Sequence, residues 1–490
     1  MKKKIGKIVL FIVCGLVVYA AISHFVNAWR AKQLVREIAN LRRTLREQGF
    51  KTEFDDFKIT TDPVMRARLA ALTALGYEPK LNTNGDVLDF RPIITDGTCK
   101  VIWKQDSLIL GTNDYQWAGL RAALDKEQVR LEAACDAVLA GPFQSDLDLN
   151  KNAGLWNGNI GHLARISRTF GYLVILNLHD GNPDVAWTNM LAATRLATAW
   201  NVEPAFISHI IRATMVNNNF ALTWQALQFN HWPDDRLAAL QNEWQSADLF
   251  TNLSEILGLE RVQEFHYCQK LLPNPPTGTY PISKIAKDLL DDPSLAFREA
   301  GQNYQDRHYR GDKVLTDGKN LLLYFRDREL ELRHAIQSPT WAQMRAQPGI
   351  TNPPAFASPT GGMKVLVEGG SRIAFPLTAI TGVAETERRI LITAIALERY
   401  RGKYGAYPPI LDPLTPEFLN TPLPDFMDGQ PLRYRPTNDG HFILYSIGPD
   451  CVDDGGKPPP PDAPRFVTNQ NGTYSALTNV DIVWPPPATQ

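Results

Sequence analysis

The sequence has little of what usually declares a chemistry. Only five cysteines occur in 490 residues, at Cys14, Cys99, Cys135, Cys268 and Cys451, and no two form a C-x-x-C pair. That spacing excludes the common zinc modules, and the odd, sparse count argues against a disulfide framework. Nine histidines are scattered with no H-E-x-x-H among them. G-x-S-x-G and a dinucleotide fingerprint are missing, and the Gly-rich "GGMKVLVEGG" of 361–370 lacks the G-K-[ST] of a phosphate loop. Neither sign of charge is in excess, since the formal net charge is -1. Without a basic bias, nucleic acid is not an expected partner. In "EFHYCQK", His266 and Cys268 fall on different helix faces, and Glu260 and Glu264 lie one turn apart. A solvated helix face is the expectation there. No residue receives a catalytic role, so the chain is expected not to be an enzyme. An enzyme with its site hidden among the helices is one alternative.

The clearest feature present is apolar. "MKKKIGK" precedes a run with no charged residue from Ile8 to Ile22, which extends to Val26 across Ser23 and His24. A helix needs roughly 17 to 25 such residues to cross a bilayer. The run predicts a single-pass anchor over 8–27 behind a basic cytoplasmic tail over 1–7, with the lipid bilayer as a partner. A signal peptide cleaved after Val18 and Ala20 is the competing reading. Lysines 2, 3, 4 and 7 precede the span, and Arg30, Lys32 and Arg36 follow it. The expected orientation leaves the bulk of the chain outside, since long segments translocate largely regardless of charge. Ala31, Leu34, Ile38, Leu41 and Leu45 then repeat at spacings of three and four. Two heptads of seam predict a helix that packs on its own domain, with a weak dimer contact as the alternative.

A chain of this length exceeds one core, so several domains are expected. Residues 28–113 hold the juxtamembrane helix and a mixed region, with a helix in "DPVMRARLAALTALG" and hairpin or loop signals after it. Residues 114–345 read as helices joined by short turns, an irregular bundle or solenoid. Asn182 followed by Pro183 marks a helix start. That step resembles a tetratricopeptide-type hairpin, with Ala186 and Ala193 as small packing positions, although no clean period repeats. The Pro- and Gly-rich stretch 346–382 reads as a linker. The fold class expected is therefore mainly α, with an N-terminal transmembrane helix and a small α+β C-terminal domain over 383–490. A fragment starting near Gly361 is expected to fold alone.

That last domain carries a recognisable order: "ALERYRGKYGAYP", "PDFMDGQPLRYRP", "FILYSIGPDCVDDGG" and "DIVW". Helix, hairpin around Asp439-Gly440, acidic loop and final strand follow in turn. The order resembles the C-terminal domain of the type II secretion major pseudopilin. The resemblance implies a helix on a small antiparallel sheet and a calcium ion held after the second strand. It implies Asp450 and Asp481 as calcium ligands. Asp453 and Asp454 are candidates for further ligands, with Ser446 and Ile447 offering carbonyls. Calcium suits such a loop because it takes six to eight oxygens in irregular geometry. An ordinary Asp/Gly turn with hydrogen-bonded carboxylates is the competing reading. The N-terminus lacks the Gly-aromatic cleavage motif of a pseudopilin, and no acidic residue precedes Glu37. The function expected is thus a non-catalytic scaffold or assembly protein in a bacterial inner membrane, with protein partners that the sequence does not name. A secretion or pilus-like component is the other alternative.

Overall fold

In the computed structural model, the residues described are 22, 25–26, 29–57, 62–74, 93–95, 98–110, 113–144, 158–271, 312–354, 356, 374–459, 466–468, 474–476 and 479–488. Most of the expected anchor and the middle of the expected linker, 357–373, lie outside them. Among the described residues no helix is long and apolar enough to cross a membrane. The fold is mainly helical with a small antiparallel sheet. Two compact units emerge: 1–58 with 257–330 and 353–372, and 59–256 with 331–352 and 373–490.

The first unit is built on α1, the helix over 29–47. Its seam is covered from within the unit. Ile38 and Leu45 are buried with Phe50, Phe265, Leu315 and Leu322, and Ala31, Leu34 and Leu41 pack against that cluster. The helix stops at Gly49, whose φ of 82° suits a residue without Cβ. Gly49 N–H bonds Arg46 O at 2.9 Å and Phe50 N–H bonds Leu45 O at 2.9 Å, a Schellman end that returns Phe50 to the core. Fully buried Arg261 then pairs with Glu329 at 2.5 Å and donates to Lys51 O, so its charge is compensated twice.

The second unit begins with α2 (Pro63–Thr73), α3 (Trp117–Asp125) and α4 (Gln128–Leu139), followed by α5 (Gly158–His179), α6 (Pro183–Thr198), α7 (Phe206–Leu227) and α8 (Asp234–Gln245). Short hairpins pair Ile93–Thr95 with Thr98–Lys100, and Ser107–Leu110 with Asn113–Gln116. The α5–α6 turn forms where the sequence places it, and Ala186 and Ala193 are fully buried. Asn182 sits at the cap position with no side-chain cap bond; its main-chain oxygen accepts from Ala186 instead.

The long C-terminal helix, Ala374–Tyr404, decides the architecture of this unit. Ile390, Leu391, Ile392, Ala394, Ile395, Ala396 and Leu397 are all inaccessible to solvent. A helix covered on every side is a core helix rather than one face of a small domain. It packs against α7 and α8 as well as the sheet. Polar ties fix it: Asn217 donates to Glu387 at 2.8 Å, Arg388 to Trp244 O at 2.7 Å and Arg399 to Asp234 at 2.7 Å. The helix also starts ahead of residue 383, inside the expected linker. Gly382 does not break it: a Cβ there would lie 3.3 Å from the Phe426 ring, so the glycine makes room for close packing. A fragment starting near Gly361 would lack the α7 and α8 that cover one side of this helix.

Three strands complete the module: β1 (Arg433–Pro436), β2 (Phe442–Ser446) and β3 (Ile482–Trp484). All are antiparallel, with β2 in the centre. Alternate residues of β2 are buried, as the period of a half-buried strand requires. Closing strand β3 is anchored by Trp484, edge-on to Phe220 at 5.2 Å.

Candidate functional site

The carboxylates of the C-terminal module fall into two clusters. The first was not singled out by the sequence reading. Asp425 sits in the turn before β1, between Pro424 and the buried Phe426 and Met427, and is itself inaccessible to solvent. Its Oδ1 accepts from Met427 N–H at 2.9 Å and from Ser446 Oγ at 2.7 Å. Its Oδ2 accepts from Ile447 N–H at 3.2 Å and from Arg433 Nη1 at 3.0 Å. Burial raises the Asp425 carboxyl above its ordinary range, and the Ser446, Met427 and Ile447 donors oppose that shift. Asp428 lies one turn on and takes Arg433 Nη2 at 2.7 Å. Burial works against its ionisation as well, yet Arg433 and the Gln430 N–H outweigh it and hold the carboxyl low.

The second cluster is the acidic loop, and the structure brings Asp481 to it. The register Ile482 to Ser446 places Asp481 beside the loop despite the intervening Pro-rich segment. Asp481 Oδ2 accepts from Gly456 N–H at 2.7 Å and Lys457 N–H at 3.2 Å, and Oδ1 from Asp454 N–H at 3.4 Å. Gly455 and Gly456, at φ of 77° and 83°, turn those amides inward. Gly448 is required for another reason: a Cβ there would meet Val480 O at 2.5 Å. Asp481 is 1% exposed, and burial raises its carboxyl against the pull of these N–H groups. Asp450 accepts from Val452 N–H at 3.1 Å and Asn479 N–H at 3.0 Å, tying the loop's start to the approach of β3. Exposed Asp453 accepts from Gly455 N–H at 3.0 Å and from Tyr445 Oη at 3.1 Å. Its carboxyl is held low, first by the Gly455 N–H and then by Tyr445 and Arg433.

The six residues expected to hold calcium therefore divide. Asp450, Asp453, Asp454 and Asp481 share the loop. Ser446 and Ile447, expected to offer carbonyls, direct their Oγ and N–H to Asp425. Of the four loop carboxylates, Asp454 alone keeps a buried oxygen, Oδ2, with no hydrogen-bond partner. Nearby carbonyls are also engaged: Pro449 O accepts from Trp341 Nε1 at 2.8 Å, and Asp450 O from Arg345 Nη1 at 3.0 Å. Among the described residues, no three His, Cys, Asp or Glu side chains converge in a way that could hold a metal ion. As arranged, the side chains do not form the oxygen cage that calcium takes.

What sequence reading missed was Asp425, Asp428 and Arg433. The signal for them was weak but present. An aspartate set between Pro424 and the apolar pair Phe426-Met427 must be buried with partners, because a bare buried carboxylate is too costly. Among the described residues, Cys99, Cys135, Cys268 and Cys451 form no disulfide. Compared with models of known protein families, with curated proteins and with solved structures, the chain has no significant match.

Proposed function

We propose that this chain is a non-catalytic, membrane-anchored envelope protein that serves as a scaffold for assembly or interaction. It would sit in a bacterial inner membrane by one pass, with most of its length on the periplasmic side. The observation that carries the reading is the apolar ridge leading into α1. Ile22, Phe25, Val26 and Trp29 stand at helical spacing and are 59%, 80%, 41% and 59% exposed. The ridge continues the uncharged run from Ile8 to Ile22 and gives way at once to Arg30 and Lys32. Apolar surface of this kind is stabilised by leaving water, and a tryptophan followed by basic residues suits the membrane–water boundary.

The scaffold half of the reading draws support from how the second unit spends its guanidinium groups. Arg195 binds Leu139 O and Glu243, Arg212 binds Ala197 O and Asp248 O, and Arg389 binds Glu385 and Pro424 O. Each ties one segment to another, which is a structural use. A second reading, a secretion or pilus-like component, is favoured by the helix, hairpin, acidic loop and closing strand in pseudopilin order.

Carbonate washing of membranes tests the anchor. The expected result is full retention of the intact chain in the membrane pellet. Release with a new N-terminus near Ala21 would overturn it. Co-purification with filaments would favour the second reading over the first.

A further inference from the structure

The acidic loop raises the question of what neutralises it, and the side-chain geometry offers an answer that the pseudopilin resemblance does not. Arg433 stands on β1 opposite Tyr445 of β2. Its guanidinium meets carboxylates from two separate stretches of chain. Nη1 lies 3.0 Å from Asp425 Oδ2 and 3.3 Å from Asp428 Oδ1. Nη2 lies 2.7 Å from Asp428 Oδ2, and Nε lies 3.5 Å from Asp453 Oδ2. The cross-strand neighbour completes the link, since Tyr445 Oη donates to the other oxygen of Asp453. So one planar group joins the turn before β1 to the loop after β2.

That is the structural work a calcium ion does in a loop of carboxylates: it joins segments by gathering their oxygens. A guanidinium can do it too, because it carries a fixed charge and five N–H donors in a rigid fork. Of the remaining loop carboxylates, Asp450 and Asp481 are served by main-chain N–H groups, and Asp454 keeps one buried oxygen, Oδ2, without a hydrogen-bond partner. Charge and hydrogen bonding are thereby largely satisfied from within the chain. We propose that Arg433 is the built-in cation of this module, joining the turn before β1 to the edge of the acidic loop at Asp453, so that the loop assembles without a metal. The inference rests on side-chain geometry and not on the scaffold reading.

The test uses the full-length protein in detergent, with thermal unfolding followed by tryptophan fluorescence. Trp341 and Trp484 report from the module itself, Trp341 through its bond to Pro449 O and Trp484 from β3. For the wild type, the melting temperature is expected to be the same in millimolar calcium chloride and in chelator. Arg433→Met is expected to melt several degrees lower. Arg433→Lys, which keeps the charge without the fork, is expected to recover only part of the loss. A wild-type melting temperature that rises with calcium would overturn the proposal, as would an Arg433→Met protein that melts like the wild type. Should Arg433→Met fail to fold, equilibrium dialysis of the wild type against radioactive calcium decides the matter. No uptake is expected, and stoichiometric uptake would refute the idea.

Discussion

Carboxylates in this molecule are accommodated in three different ways, and the contrast between the two clusters of the C-terminal sheet is the most instructive. The cluster around Asp425 and Asp428 is held by a side-chain cation. The cluster around Asp450 and Asp481 is held by main-chain N–H groups that glycines turn inward. In the first unit, Glu260 and Glu264 follow neither course. Burial pushes both carboxyls up to about 7, and their mutual repulsion adds to the rise for Glu260. Both sets join separate stretches of chain, but the ion pair adds the attraction of a full charge, whereas the N–H groups supply hydrogen bonds alone. Removing members of each set should therefore have graded effects.

The largest loss is expected for Asp425→Ala. It strips four donors of their acceptor, including Arg433 and two buried main-chain amides, and should cost about 3–5 kcal/mol in urea unfolding. A cost below about 1 kcal/mol would remove Asp425 from the centre of the module. Asp481→Ala comes next, at about 1–3 kcal/mol, because three N–H groups lose their acceptor but no guanidinium loses a partner. Asp481→Asn keeps one carbonyl oxygen and should restore part of that. A loss as large as that of Asp425→Ala would mean the two clusters are not distinct in kind.

The glutamate pair sharpens the contrast through pH. A carboxyl raised to about 7 in the folded state keeps its proton where the unfolded chain, near the ordinary glutamate value of 4.5, has already released it. Between those values the folded state binds more protons, so stability falls as pH rises through this window and levels off above it. The Glu260→Gln, Glu264→Gln double variant should flatten the slope of melting temperature against pH between about 5 and 7. An unchanged slope would count against the pair as its source. The smallest effect is expected for Asp450→Ala, under about 1 kcal/mol, since both of its acceptors serve amides at a partly exposed turn.

Much of the architecture was legible before any coordinates. The α1 seam, the turn at Gly181-Asn182-Pro183, the hairpin around Gly440 and the closing "DIVW" strand each depend on local pattern or local turn chemistry. Those signals act over a few residues, so sequence carries them directly. The start of the long helix was hidden because it lies in a Pro- and Gly-rich stretch that reads as a linker, and Gly382 is there to make room for a ring from 44 residues further along. Burial of that helix by α7 and α8 was hidden for the same reason, since coverage by distant segments leaves no periodic trace. At the site, the loop aspartates were found by composition and Asp481 by its place in the order of motifs. Asp425 and Arg433 were not found, because an ion pair between a turn and a strand is a product of register. Only β1 pairing with β2 brings Arg433 between Asp428 and Asp453.

The most direct measurement of the Arg433 assignment is a double-mutant cycle on Asp425 and Arg433. Urea unfolding of the wild type, Asp425→Ala, Arg433→Met and the double variant gives the energy that belongs to the pair alone. A coupling of about 1–3 kcal/mol is expected, as for a close pair in one hydrogen-bonded network. Single losses that simply add, with no coupling beyond the error of the measurement, would contradict the assignment of Arg433 as the cation that holds this cluster together.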